Sequence, residues 1–266
     1  MPHSLSLSNG TLLHVSDQIA AARDLIASSC ATVILTGAGI STAAGIPDYR
    51  GPDGVWTKNP GAERNSHIDT WMSNPAARRA GWERRLNTDW AGLRPTAAHA
   101  AITSYATSGR LSLVVTQNVD GLHQRSGLAE ERLIEIHGTV HRSICLDCGE
   151  QGPIEAVLDR VRSGDIDPHC EHAGCHGLLK AATVSFGQSL NADDLSRAQE
   201  MTRNCDLFLA IGSTLSVFPI AGLVPIAAQA GVPVIIVNGS PTEMDDYATL
   251  RIDGDINIAV PQILTL

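Results

Sequence analysis

The chain has 266 residues, 43% of them hydrophobic and 18% charged, and carries a formal charge of −9. That composition excludes a disordered or fibrous chain and supplies enough apolar side chain for a sizeable core. An acidic protein is poorly suited to nucleic acid or anionic lipid, no apolar run reaches the ~18 residues of a membrane span, and the N-terminus lacks the pattern of a secretory signal, so the cytoplasm is the expected compartment.

From the N-terminus, residues 17 to 29 read as an amphipathic helix that leads into the apolar run Thr32-Val33-Ile34-Leu35-Thr36 and a glycine turn. Thr96 caps a further helix over residues 96 to 104. Aliphatic runs recur at Leu111 to Thr116, Leu133 to Ile136, Leu207 to Ile211 and Val234 to Val237, separated by helical stretches. Short apolar runs alternating with helices predict an α/β, Rossmann-like, mostly parallel sheet with helices on both faces. Ligands of such a sheet bind at the carboxyl ends of the strands. Those ends carry Gly37-Ala38-Gly39, Gln117-Asn118-Val119-Asp120, His137-Gly138, Gly212-Ser213-Thr214 and Asn238-Gly239-Ser240. Residues 12–45, 94–140 and 181–266 are read as this main domain, 46–93 as a mobile loop with a helical insertion, and 141–180 as a separate cysteine-bearing module.

Four of the six cysteines form Cys145-x2-Cys148 and Cys170-x4-Cys175, with 21 residues between the pairs. Two such pairs predict a closed, structural Zn2+ site, although the second spacing is longer than the usual x2. His169, His172 and His176 flank the second pair and leave open a histidine in place of one cysteine. Cys30 and Cys205 stand apart in apolar stretches and read as small buried residues.

The turn Thr36-Gly37-Ala38-Gly39-Ile40-Ser41-Thr42 is positioned to bring backbone amides to a pyrophosphate, but it is not a complete dinucleotide fingerprint. Thr42 stands where a third glycine belongs, and no strand ending in an acid lies about 20 residues further on. A plain structural turn is the alternative. The longer segment GAGISTAAGIPDYRGPDGVW, Gly37 to Trp56, is more specific and resembles the cofactor-binding loop of sirtuins. It is most similar to the nuclear branch, whose motif reads GIPD-F/Y-RGP-x-GVW. The resemblance implies an NAD site lined by Gly37, Ala38, Gly39, Asp48, Tyr49 and Arg50, with the loop closing over the cofactor when substrate binds.

Gln117 to His123 is similar to the family's T-Q-N-x-D-x-L-H motif, which implies that Asn118 and Asp120 recognise the nicotinamide carboxamide and Gln117 the nicotinamide ribose. Taken alone, an Asn and an Asp after a strand often only satisfy turn amides. Glu135-Ile136-His137-Gly138 is similar to the family's H-G motif, which makes His137 the general base among ten histidines. An imidazole titrating near neutrality suits that role, typically worth about 10²- to 10⁴-fold. Gly212, Ser213 and Thr214 resemble the family's G-T/S-S-L turn with its Thr-Ser order reversed, and Asn238 with Pro241-Thr242 resembles N-x-x-P-T. By the same resemblance these residues hold phosphate and ribose, and Asp255 and Ile256 close over the adenine. Val184 to Gln188 and Val217 to Pro219 resemble two strands that clamp an extended peptide, with Phe186, Gly187, Val217 and Phe218 contacting the acyl-lysine.

The resemblance therefore implies that NAD is consumed by an NAD-dependent protein-lysine deacylase. The acyl oxygen attacks the nicotinamide ribose C1′, nicotinamide leaves, and His137 assists the 2′-hydroxyl's attack on the resulting alkylimidate. Nicotinamide, free lysine and O-acyl-ADP-ribose are the products, and acyl-lysine peptides or proteins the partners. Sirtuins that remove acidic acyl groups typically carry Tyr-x-x-Arg. The nearest counterpart here is Trp82-Glu83-Arg84-Arg85, so an uncharged group such as acetyl is expected, with Arg85 either reading a carboxylate or forming part of a helix surface. Mono-ADP-ribosyl transfer and non-catalytic NAD sensing by a zinc-containing interaction protein are the competing functions. The missing third glycine and ribose acid disfavour hydride transfer.

Overall fold

The computed structural model describes residues 15–51 and 53–265. The expected domain start at residues 12–14 lies outside that range. In chain order the elements are α1 (Val15–Ser28), β1 (Thr32–Thr36), α2 (Val55–Lys58), α3 (Ile68–Ser73), α4 (Pro75–Leu86), α5 (Ala97–Ala106), β2 (Leu111–Thr116), α6 (Leu122–Arg125) and β3 (Leu133–Glu135). The second half of the chain adds β4 (Gly138–Cys145), β5 (Gln151–Pro153), α7 (Ile154–Arg162), β6 (Leu179–Thr183), α8 (Ala192–Asn204), β7 (Leu207–Ile211), α9 (Leu223–Gln229), β8 (Val234–Asn238), β9 (Leu250–Asp253) and α10 (Ile256–Leu264).

Six strands pair in parallel in the order β3-β2-β1-β7-β8-β9. β1, β7 and β8 are buried at every position, as strands covered on both faces must be. Their side chains divide by period two. Ile34 joins a core formed with α1, α5 and α10, whereas Val33 and Leu35 join one formed with α8 and α9. The sheet is thus doubly wound, as the spacing of apolar runs predicts. The strand order reverses between β1 and β7, which opens the crevice in which such folds bind ligands.

A second sheet, β5-β4-β6, is antiparallel. It belongs to a third core in which Ile154, Val157 and Leu158 of α7 pack with Cys145, Cys170, Leu179 and Ala181. Trp82 of α4 is fully buried in this same core, and Trp71 of α3 meets it edge-on with ring centroids 5.6 Å apart. Arg78 seals the junction: its guanidinium makes two 2.8 Å hydrogen bonds to the Asp167 carboxylate and donates to the Trp71 and Met72 carbonyls. The helical insertion and the cysteine module, read from the sequence as separate pieces, therefore share one core.

Two local expectations are corrected. Val184 to Gln188 and Val217 to Pro219 are not strands. Phe186 makes an isolated bridge to His67, because its amide and carbonyl are taken by Ser66 and Ile68, and Gly187 at φ +83° turns the chain away. Cys30 is exposed at the end of α1, whereas Cys205 is buried as expected.

Candidate active site

The carboxyl ends of β1, β2, β7 and β8 open into a cleft of about 1550 Å³ that extends towards α4 and β6. Gly37, Ala38, Gly39, Asp48, Tyr49, Arg50, Gln117, Asn118 and His137 line it. So do Phe186, Gly187, Gly212, Ser213, Thr214, Val217, Phe218, Asn238, Asp255 and Ile256. Residues remote from one another in sequence thus converge on one cleft. Asp120 does not reach the cleft wall and lies in the layer behind it, 5% exposed.

The glycine turn is held against the carboxyl end of β7. Gly37 and Gly39 donate their amides to the Ile211 and Gly212 carbonyls at 3.0 and 2.8 Å, so these two amides are already engaged. Their lack of side chains serves the crossing of the two strand ends: a β-carbon on Gly39 would stand 2.8 Å from the Gly212 α-carbon, and one on Gly212 would stand 2.6 Å from the Ile40 nitrogen. Gly212 also adopts φ +67°, and the buried Leu215 lies beyond it at φ +55°, a conformation that costs a non-glycine residue energy and holds the Ser213–Thr214 turn in one shape. Gln117 Nε2 donates to Ser213 Oγ at 2.9 Å and ties the ends of β2 and β7 together.

Asn118 points one amide hydrogen at the Gly37 carbonyl and the other at Ser41 Oγ, each at 3.1 Å, and Ser41 Oγ donates to Asp120 Oδ2 at 2.7 Å. Ser41 therefore joins the two residues of the Q-N-x-D motif. Sequence reasoning misses this role, because the only signal Ser41 gives is its place within the glycine turn. His137 Nδ1 lies 3.0 Å from the Gln117 carbonyl oxygen. A carbonyl only accepts, so Nδ1 carries the proton of the neutral ring and Nε2 keeps the lone pair. Burial holds the imidazole below its ordinary pKa, opposed by that backbone hydrogen bond, and so favours the neutral form that a base requires.

Within the cofactor loop, Tyr49 packs against Trp56 with ring centroids 4.6 Å apart and the planes tilted by 40°, and Trp56 approaches Phe186 at 5.6 Å. The Arg50 guanidinium lies 4.5 Å above the Trp56 ring and pairs with Glu63 at 3.2 Å. Asp48 folds back on its own loop, accepting the Gly51 amide at 3.0 Å. At the far rim Asn238 donates to the Ser240 carbonyl at 2.8 Å, and Asp255 caps α10 by accepting the Asn257 amide at 2.8 Å.

In the cysteine module the sulfurs of Cys145, Cys148, Cys170 and Cys175 all lie within 4.8 Å of one another, with Cys145–Cys175 at 3.6 Å and Cys148–Cys170 at 3.7 Å. A tetrahedral zinc with bonds of about 2.3 Å requires sulfur–sulfur edges of about 3.8 Å. The four residues fit the metal, and they supply four thiolates without a histidine. His169 instead directs Nδ1 at the His176 carbonyl at 2.7 Å.

A Rossmann-like crevice, a strand-end histidine fixed as an Nε2 base and a four-cysteine module define the class: an α/β enzyme built around a dinucleotide site, with a structural metal. Residues 37–219 match the Sir2 family, and the chain belongs to it. It is 41% identical over 231 residues to NAD-dependent protein deacetylase 2 of Streptomyces coelicolor, covering 87% of this chain and 95% of that one. It is 38% identical over 251 residues to NAD-dependent protein deacylase 2 of Archaeoglobus fulgidus, covering 94% and 96%. Among solved structures, a Sir2–p53 peptide–NAD+ complex superposes with a TM-score of 0.79 at 33% identity, over 91% of this chain and 95% of that one. A Sir2 enzyme solved in a study of mechanism and regulation superposes with a TM-score of 0.83 at 36% identity, over 94% and 97%.

Proposed function

We propose that the chain is an NAD-dependent protein-lysine deacylase with deacetylation as its reference reaction, and that it works in the cytoplasm on acyl-lysine proteins rather than on nucleic acid or membrane. Among the described residues, no helix is long and apolar enough to cross a membrane. The loop Gly45 to Trp56 is assigned to the nuclear-type branch, combined here with the Phe186-Gly187-Gln188 element. Residues 12–45, 94–140 and 181–266 then form the NAD-binding domain, 46–93 the cofactor loop and helical insertion, and 141–180 the zinc module.

The observation that carries this reading is the Nδ1 contact between His137 and the Gln117 carbonyl, which leaves a basic Nε2 in the same cleft as Asn118 and Phe186. NAD, when bound, supplies the glycosidic bond to nicotinamide that the reaction cleaves. Asn118, with Asp120 behind it through Ser41, orients the nicotinamide end; Gln117 holds the adjoining ribose. His137 Nε2 accepts a ribose hydroxyl proton. Asp48, Tyr49 and Arg50 cover the site from the loop, while Gly212, Ser213, Thr214, Asn238, Asp255 and Ile256 hold the adenosine half. Phe186, Gly187, Val217 and Phe218 receive the substrate lysine and its flanking backbone. Zinc at Cys145, Cys148, Cys170 and Cys175 supports the fold of the module. With all four positions filled by thiolates it leaves no coordination place for water.

An acetyl-lysine peptide incubated with NAD and followed by mass spectrometry tests the reading. Stoichiometric nicotinamide, free lysine and O-acetyl-ADP-ribose are expected. NAD cleavage with the acyl group retained would replace deacylation by ADP-ribosyl transfer, and NAD binding without turnover would make the protein a sensor.

A further inference from the structure

The segment assigned to the substrate lysine is tied down by one buried cation. Lys180, on β6 opposite Ile144 of β4, is 3% exposed, and its ammonium donates to the Thr183 carbonyl and, at 3.3 Å, to Gln188 Oε1. These are the two ends of the stretch Thr183 to Gln188 that carries Phe186 and Gly187. The same Gln188 oxygen accepts the Ser185 amide at 2.9 Å, and the Gln188 amide donates to the Ser185 carbonyl at 3.0 Å. Side chain and backbone of Gln188 thus close one turn, and Lys180 fastens that turn to β6. The rest of the segment is held by backbone: Val184 donates to the His137 carbonyl at 2.8 Å, Phe186 to the Ser66 carbonyl at 3.0 Å, and Ile68 to the Phe186 carbonyl at 2.9 Å. Beyond Phe186 the chain passes through the exposed Gly187 at φ +83° and reaches its next hydrogen bonds at Gln188.

Fold stability gives no reason for a lysine at this place. Both of its acceptors are neutral, and Arg84 and Arg85 of α4, which line the same cleft, add positive charge. Asp48 and Asp255, the acidic residues in the described lining, are engaged by amides of their own loops. A cation withdrawn from water without a counter-charge is costly. Burial, with Arg85 adding to it, lowers the Lys180 pKa to about 8. A buried group that costs stability while it fixes one loop is kept for the geometry of that loop.

We propose that Lys180 and Gln188 are positioning residues for the peptide substrate: together they hold the Thr183–Gln188 segment in its receiving shape, and so set peptide affinity rather than NAD affinity or the chemical step. This rests on the deacylase reading and adds two residues to it. A segment that must be reordered at each binding event lowers the apparent affinity by the fraction of time it is competent. The reacting groups do not depend on the pair, because His137 and Asn118 stand at the ends of other strands and the bond from Val184 to His137 is made by backbone.

The test follows steady-state deacylation of one acetyl-lysine peptide by the wild type, Lys180→Met, Gln188→Met and the double variant, with peptide and NAD varied in turn. In each single variant the peptide KM is expected to rise at least about tenfold, while kcat and the NAD KM change by less than about threefold. The double variant should rise no further than the larger single rise, because either substitution breaks the same latch. Gln188→Glu keeps an oxygen for both donors and should hold the peptide KM within about threefold of the wild type. Lys180→Met replaces an unpaired buried cation with an apolar chain, so its melting temperature should stay within about 3 °C of the wild type or rise, which a merely structural lysine would not allow. A smaller rise of the peptide KM in either single variant, an NAD KM that rises in step with it, or a double variant showing the product of the two rises overturns the proposal. Should Lys180→Met fail to fold, Gln188→Met alone decides. Deacylation with those constants unaltered leaves the deacylase reading standing and this one fallen; a wild type that leaves the acetyl group in place ends both.

Discussion

Ser41 Oγ donates a 2.7 Å hydrogen bond to Asp120 Oδ2 while accepting one from Asn118 Nδ2 at 3.1 Å, so a hydroxyl from the glycine turn fixes both polar residues of the β2 end. Asp120 and Asn118 are 5% and 9% exposed, and water cannot readily replace that hydroxyl. Ser41→Ala is expected to cost about 1–3 kcal/mol of stability. Deacylation should fall by about tenfold or more, since misplacing a positioning group by about 1 Å costs up to about 10²-fold. Thermal melts and steady-state kinetics check this, and an unchanged kcat/KM would remove Ser41 from the site.

His137→Ala is expected to abolish deacylation while NAD binding, measured calorimetrically, is kept. Because burial lowers the His137 pKa, the base stays neutral at a pH where a free imidazole is half protonated. The acid limb of the kcat/KM profile should therefore have its midpoint below 6.5. A midpoint at or above about 7 would contradict the assignment.

His99 and His123 stack edge to face at 4.7 Å inside the main core, and burial lowers their pKa values to about 4 and about 3. His123 Nε2 meets Thr36 Oγ1 at 3.0 Å, and His99 Nδ1 meets Thr96 Oγ1 at 2.8 Å in the capping box of α5. A histidine held neutral in the fold but free to protonate when unfolded makes stability rise with pH wherever the unfolded chain binds the extra proton. Their contribution is complete above about 6.5 and is lost as pH falls from there through about 4 and 3. The melting temperature should drop between about pH 7 and about pH 5, and less steeply in His123→Asn. Parallel slopes in the two proteins would refute the linkage.

Removing zinc with a chelator, or replacing Cys170 with Ser, is expected to unfold the module, since a four-thiolate site contributes folding free energy on the order of 10 kcal/mol. Trp71 and Trp82 belong to that core, so their fluorescence should report the loss directly. The helical insertion should loosen with it. A chelated protein with unchanged fluorescence and activity would show that the cysteines need no metal.

Gly212→Ala is expected to block NAD binding, because the new β-carbon would meet the Ile40 backbone nitrogen at 2.6 Å and the residue sits at φ +67°. Neither the backbone nor the angle can give cheaply. Retained NAD affinity in a folded variant would mean that the β1–β7 crossing tolerates more than the structure allows.

The parallel sheet is legible in the sequence because its strands are short apolar runs buried on both faces, a pattern that Thr32 to Thr36 and Leu207 to Ile211 carry without help from their neighbours. The polar residues at the strand ends are legible for the same reason, since a chain leaving a buried strand must end it with turn residues. β4, β5, β6 and β9 are not, because their exposure alternates irregularly and pairing partners rather than composition define them. The four cysteines announce a metal site by spacing, yet the sequence leaves a histidine ligand open that the distances among the sulfurs remove.

By itself the sequence determined the doubly wound sheet, the polar rim at its strand ends and the four thiols, since periodicity and spacing are local properties of the chain. Tertiary structure alone decided that Gly37 and Gly39 serve the crossing of β1 and β7, that Ser41 joins Asn118 to Asp120, and that α4 shares its core with the cysteine module. It also decided which way His137 is protonated and that Arg85 and Lys180 line one cleft with the strand ends. Each of these depends on a distance between residues remote in sequence, and such distances are fixed only when the sheet, the insertion and the module pack against one another.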